Sequence, residues 1–397
     1  MRKTIEFSEA LDTIGAALDG RRLPEEHLAS KQALGRVLAA PVCSRVELPP
    51  FNKSAMDGYA IMADDERDSY RILETIAAGQ TPTHALTPGT ASKIMTGAPV
   101  PEGGGCVVMV EYTSDDDGIV TVLKHGGRAN ICIKGEDVAV GQEILSPGTV
   151  LDAVAVANAI SCGVDSVTVR ARVKVAVVTT GDEIVESFSD LEPGKIIDCN
   201  GPMLEGLIAE EGFELASRTR ASDDKDTLRD AIAAAAEHAD IVLLTGGVSV
   251  GDFDFVPVCL KELGFTTHFD SVATKPGKPL TFATREGAIV LGLPGNPVSV
   301  LVAFKLTVRH VAALLSGAPS PIRAIELPVG EEITRKRADR MSFLPAQIRP
   351  DGRLELLPYH GSAHLLAYSR ADGLLAIPLG VTRLAPGDCA AFFPLGL

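Results

Sequence analysis

The chain has 397 residues, 46% of them hydrophobic and 22% charged, a composition that supports several packed cores and excludes the disordered class. Its 37 basic and 52 acidic residues leave a formal charge of −15, the wrong sign for a non-specific grip on nucleic acid, so an anionic substrate requires local cations or a divalent metal. Seven cysteines without a C-x-x-C pair, a polar amino-terminal stretch and no long uninterrupted apolar run predict a reduced cytoplasmic setting, with neither a nucleic-acid partner nor a membrane.

Helical spacing runs from about residue 7 to 40, with Ser8 as the cap of one segment, Leu28, Ala33, Leu34, Val37 and Leu38 as the apolar face of another, and Pro41 as the terminator of the latter. From about 45 to 140 the pattern changes to short apolar or alternating runs (Tyr70 to Ile76, Val107 to Val110, Ile119 to Leu123) split by turns such as Asp117-Gly118. A further helix, Asp152 to Cys162, ends at Gly163. The expected organisation is a helical linker domain from residues 1–44 and 141–170, with residues 45–140 inserted as a β domain.

Residues 171–320 alternate between strand and helix, the signature of βαβ units and a mainly parallel sheet. The buried-strand candidates are Val173 to Val178, Ile241 to Leu244 and Ala288 to Leu291. Helices are expected at Pro202 to Glu211, at Leu228 to His238, and from Asn296-Pro297 to about Leu315. Residues 321–397 return to short strands and Asp-Gly or Pro-Gly turns, a small β-barrel domain. The predicted fold class is multidomain α/β plus β.

Ligands of open parallel sheets bind beyond the carboxyl ends of the strands. The loops there are Thr179-Thr180-Gly181-Asp182-Glu183, then Thr245 to Asp254 with Gly246, Gly247, Ser249 and Gly251, and last Gly292-Leu293-Pro294-Gly295-Asn296-Pro297. Glycine allows close backbone approach, and a helix N-terminus adds partial positive charge, so these loops suit an anion cradle. Lys275 and Lys278, on a Lys-Pro-Gly-Lys-Pro turn, add cations. Asp182, Glu183, Asp252 and Asp254 would repel phosphate unless Mg²⁺ stood between them. For any one loop the bland alternative is a tight turn with solvated acids.

Gly247-Val248-Ser249-Val250-Gly251 also satisfies the G-x-S-x-G pattern of a hydrolase nucleophile elbow, and Asp270 and His310 follow in hydrolase order. Against that rival, His310 falls deep inside the predicted helix starting at Pro297, and no His-Gly oxyanion segment is visible. His360 and His364 have helical metal-ligand spacing, but Gly361 and Ser362 between them argue against a helix.

The loop segments and the lysine turn resemble the molybdopterin-binding module of the MoeA and gephyrin E-domain family. That module is shared with molybdopterin adenylyltransferases and competence-damage proteins, and the block upstream of it decides among them: Ala33-Leu34-Gly35-Arg36-Val37-Leu38, Leu48 to Ala60 through Pro50-Phe51-Asn52-Lys53-Ser54-Ala55-Met56-Asp57-Gly58, and Ile94-Met95-Thr96-Gly97-Ala98-Pro99-Val100-Pro101. These upstream segments are similar to molybdopterin molybdenumtransferases specifically.

The resemblance implies molybdenum insertion into adenylylated molybdopterin, with molybdate as co-substrate, Mg²⁺ as cofactor and AMP as product. It implies catalytic roles for Asp57, Glu183 and Asp254, with Glu183 and Asp254 as metal ligands. Substrate contacts are implied for Thr96, Asp137, Asp223, Gly246, Gly247, Ser249, Gly251, Lys275, Lys278, Pro294, Gly295, Asn296, Pro297, Arg340 and Ser362. Asp224 competes with Asp223 for one family acid, and Pro345 stands where family members commonly carry Arg. The resemblance further implies a homodimer with a shared active site, and it makes a molybdopterin adenylyltransferase a candidate partner. A non-enzymatic molybdopterin carrier or scaffold is the alternative from another functional class.

Overall fold

The computed structural model describes residues 4–125, 129–247 and 255–396. At its centre is a sheet in which Glu214–Ala221, Lys174–Thr180, Ile241–Thr245 and Ala288–Leu293 lie side by side in parallel. Pro279–Arg285 and Thr266–Ser271 add antiparallel strands beyond Ala288–Leu293. Val175 and Val177 of one strand pack into one apolar layer while Ala176 and Val178 pack into the other. Ile241 and Leu243 against Val242 and Leu244 divide in the same way. Burial on both faces explains why these strands read as continuous apolar runs.

Helices cover both faces. Asn200–Glu210 places Leu204, Leu207 and Ile208 in the first layer, and Lys225–His238 places Leu228, Ile232 and Ala235 in the second. Asp224 caps the latter helix by accepting a hydrogen bond from the Thr227 backbone N–H at 2.9 Å. The helical stretch Pro297–Ser316 contains a π-helical segment, Phe304–Val308. It is long and apolar enough to cross a membrane, but 78% of it is buried inside the protein, the mark of a core helix.

The amino-terminal region corrects one expectation. The first helical segment is present as Phe7–Ala17, but the second, expected to end at Pro41, is not an α-helix. Gly20 adopts a positive φ of 73°, and Pro24 disfavours helical backbone at Leu23. Glu25–Ala29 is then a strand paired antiparallel with Ser166–Arg170. Leu34, placed by the helical reading on an apolar face, is 59% exposed. Ser8 lies within the first turn, where Glu6 occupies the cap position. The first helix packs Ala10, Ile14 and Leu18 into the α/β core. A separate core gathers Ala33, Leu38 and Val42 with Leu151, Ala155 and Val169, beside the helix Ala153–Ser161.

The inserted region forms a six-stranded sheet containing Gly58–Ile61, Ser69–Ile76 and Thr90–Ile94. The carboxyl-terminal sheet is built around Met341–Ile348, Gly373–Ile377 and Cys389–Pro394. Thr274–Lys275, from the α/β region, joins its edge by pairing parallel with Met341–Ser342. That pairing ties the lysine turn to the carboxyl-terminal domain.

Candidate active site

Parallel neighbours Lys174–Thr180, Ile241–Thr245 and Ala288–Leu293 end together, so their loops converge. Gly246 has φ 88°, and a Cβ there would lie 2.4 Å from the Thr180 carbonyl oxygen. Only glycine fits so close an approach between two strand ends. Gly181 holds a φ of 136°, and a Cβ on it would meet both Glu183 carboxylate oxygens within 3 Å. The Glu183 side chain therefore folds back over Gly181. Asn200, almost fully buried, donates from Nδ2 to the Gly295 carbonyl at 2.7 Å and fixes the third loop.

These loops line a cavity of about 580 Å³. Of the residues expected from the sequence, it gathers Glu183, Gly246, Gly247, Lys275 and Lys278 with Pro294, Gly295, Asn296, Arg340 and Ser362. Asn296 and Pro297 begin the long core helix as its cap and first residue. The Val298 backbone N–H of that first turn donates to the Ser362 carbonyl at 3.1 Å, which draws the carboxyl-terminal loop over the helix end. The turn bearing Lys275 and Lys278 carries a cis bond at Lys275-Pro276. Neither ammonium group has an ion pair among the described residues, so both charges are available to an anion.

Pro276, Gly277 and Pro279 of the lysine turn and Gly361 beside Ser362 also line the cavity, together with Ser299 and Tyr359, which the sequence did not single out. Ser299 had a local signal, since it follows Pro297 in the first turn of a helix aimed at the cradle. Tyr359 had none, because only tertiary packing brings it there. Ser249, Gly251 and Asp254 lie outside the described residues.

Asp223 is not among the residues lining the cavity. Its carboxylate accepts from the Asp182 N–H at 3.1 Å, and its own N–H donates to the Asp182 carboxylate at 3.2 Å. It staples two loops together, while its neighbour Asp224 caps a helix. Pro345 is buried in the carboxyl-terminal sheet opposite Leu374. Cations near this edge come from the preceding segment, including Arg335 and Arg340.

Asp57 and Thr96 meet in the inserted domain. The Thr96 backbone N–H donates to Asp57 Oδ1 at 2.6 Å, and its hydroxyl donates to the same oxygen at 2.7 Å. These bonds, the backbone one foremost, hold the exposed Asp57 carboxyl below its usual pKa. Asp137 is exposed, with its backbone N–H bonded to the Leu48 carbonyl. None of the three lines the cavity that holds Glu183 and the lysines.

The hydrolase reading loses its base. His310 sits in the core helix, and its Nδ1 lies 2.9 Å from the Ser320 hydroxyl. Burial pushes its pKa down. His360 and His364 stack in a non-helical segment, and among the described residues no cluster of three or more His, Cys, Asp or Glu side chains is arranged around a metal position.

A doubly covered parallel sheet, with a glycine-and-lysine cradle beside a carboxyl-terminal β domain, defines an α/β protein with an anion-binding cleft at the ends of its strands. Family models agree region by region. Residues 5–163 match the MoeA N-terminal region (domain I and II), 176–313 a probable molybdopterin binding domain, and 327–395 the MoeA C-terminal region (domain IV). The chain is 34% identical over 371 residues to a molybdopterin molybdenumtransferase of Nostoc sp., covering 89% of this chain and 85% of that protein. It is 34% identical over 396 residues to one from Staphylococcus aureus, covering 96% and 93% of the two chains. The crystal structure of the molybdopterin biosynthesis MoeA protein from Pyrococcus horikoshii superposes with a TM-score of 0.84 at 28% identity, over 99% of this chain and 100% of that one. The chain belongs to the molybdopterin molybdenumtransferase family and has a role in molybdenum cofactor biosynthesis.

Proposed function

We propose that the protein transfers molybdenum from molybdate into adenylylated molybdopterin: the two dithiolene sulfurs bond the metal as a molybdate oxygen leaves as water, and a water oxygen bonds phosphorus as the phosphoanhydride breaks and AMP leaves. The observation that carries this reading is the cavity where Gly246, Gly247 and Gly295 meet two exposed lysines, without an ion pair among the described residues, beside Arg340. Backbone amides and cations at that point suit a pyrophosphate, and they act by positioning and charge stabilisation. No strong nucleophile is needed for such a role.

The −15 net charge and the Glu183 carboxylate facing the cradle favour Mg²⁺ as cofactor. Glu183 offers a hard oxygen donor, and Mg²⁺ uses one or two carboxylates with phosphate and water for the rest. Glu183, and Asp254 outside the described residues, would hold the ion, which neutralises phosphate charge when bound. Asp57 and Thr96 complete the site from the partner subunit of a homodimer. That neither lines the cavity within one chain supports the arrangement, as do the exposed apolar side chains of Phe51 and Met56 in the segment leading to Asp57. A molybdopterin adenylyltransferase would supply the substrate. The seven free cysteines fit the reducing cytoplasm.

Incubated with adenylylated molybdopterin, molybdate and Mg²⁺, the protein is expected to yield a cofactor that activates an apo-molybdoenzyme, with activation lost in EDTA. Tight binding without activation would mark a carrier instead. Equal activation in EDTA would remove Mg²⁺ from the account.

A further inference from the structure

A second cavity, of about 420 Å³, lies in the carboxyl-terminal domain and shares Lys275 and Arg340 with the first. Ile333, Leu344, Leu356 and Ile377 give it an aliphatic wall. Arg335, Lys336 and Arg337 add cations, against a single acid, Asp339, which lies 3.8 Å from Arg340.

Arg335 is held rigidly, yet no acid among the described residues forms an ion pair with it. Its guanidinium donates to the carbonyls of Val381 at 2.6 Å and Arg340 at 2.7 Å, to the Ser342 hydroxyl at 2.7 Å, and to the Pro378 carbonyl. These partners are neutral. Burial lowers the Arg335 pKa, although the charge of Asp339 acts in the opposite direction. In a chain of net charge −15, a concentration of positive charge over an apolar wall calls for an anionic ligand with an apolar body.

Size selects among anions. A small inorganic oxyanion occupies on the order of a few water volumes and gains little from an aliphatic wall. Cavities of about 300–1,000 Å³ with apolar linings and a few placed polar groups instead suit organic ligands. Because Lys275 and Arg340 line both cavities, one ligand bearing phosphate at that boundary can extend into each.

We propose that this second cavity seats a heteroaromatic ring of the phosphate-bridged substrate, packed against Ile333, Leu344, Leu356 and Ile377, with the adjoining phosphate at Lys275 and Arg340. The inference rests on the functional reading above and names a subsite within it. Leu356, in the three-residue strand Leu354–Leu356, and exposed Thr334 are positions where added bulk occupies the cavity without altering its charge.

The test is calorimetric binding of adenylylated molybdopterin, AMP and inorganic pyrophosphate, each with Mg²⁺, to the wild type and to Leu356→Trp and Thr334→Trp. Both variants are expected to bind adenylylated molybdopterin at least tenfold more weakly, with pyrophosphate binding within twofold of wild type. A parallel loss of AMP binding identifies the ring as adenine, and unchanged AMP binding identifies it as the pterin. Both results support the subsite. Adenylylated-substrate binding within twofold of wild type in both variants, or an equal loss for pyrophosphate, overturns the subsite alone. Failure of the wild type to bind adenylylated molybdopterin overturns the functional reading and this inference with it.

Discussion

Alanine at Lys275 or Lys278 is expected to lower kcat/KM for cofactor formation by about 10- to 100-fold each, and by more in the double variant. A charge-assisted hydrogen bond is worth about 1.5–3 kcal/mol, and each ~1.36 kcal/mol is a factor of ten in rate. Both lysines are exposed and lack ion-pair partners among the described residues. Their removal therefore leaves no buried charge uncompensated, and thermal melting should not change. Rates measured by activation of an apo-molybdoenzyme, alongside a melting curve, check both halves. A loss of activity accompanied by a large fall in melting temperature would show a structural role for the turn.

Mixing Asp57→Asn with Glu183→Gln is the second expected large effect. Each variant alone is expected to be nearly inactive. If one site takes Asp57 from one subunit and Glu183 from the other, a mixed dimer puts both defects in one site and leaves the second intact. Random re-association makes about half the dimers mixed, so activity should return to roughly a quarter of wild type. Native mass spectrometry establishes that exchange has occurred. Flat activity after verified exchange would place each site within one chain, leaving the cradle assignment intact.

The central strands and their loops were legible because burial on both sheet faces leaves continuous apolar runs that end in glycine. The cradle could be read as a set for the same reason, since parallel neighbours in register bring their following loops together. Residues 25–40 misled because Ala33, Leu34, Val37 and Leu38 fall three and four residues apart, although Leu28 faces the linker core from a strand and Leu38 from an isolated bridge with Val169. Asp223 and Asp224 were indistinguishable by spacing. The bonds to Thr227 and Asp182 separate them, and those partners are fixed by the folded loops. Tyr359 and Gly361 enter the site from the carboxyl-terminal domain, whose edge is tied to the lysine turn by the pairing of Thr274–Lys275 with Met341–Ser342. A contact so distant in sequence leaves no trace in local periodicity.

The most direct measurement is AMP release upon addition of molybdate. The protein is loaded with adenylylated molybdopterin in Mg²⁺, freed of unbound ligand and supplied with molybdate, and AMP and protein-bound molybdenum are followed together. AMP is expected to appear only after molybdate is added, with one AMP released for each molybdenum retained. Retention of intact adenylylated substrate, or release of AMP at the same rate without molybdate, would contradict it.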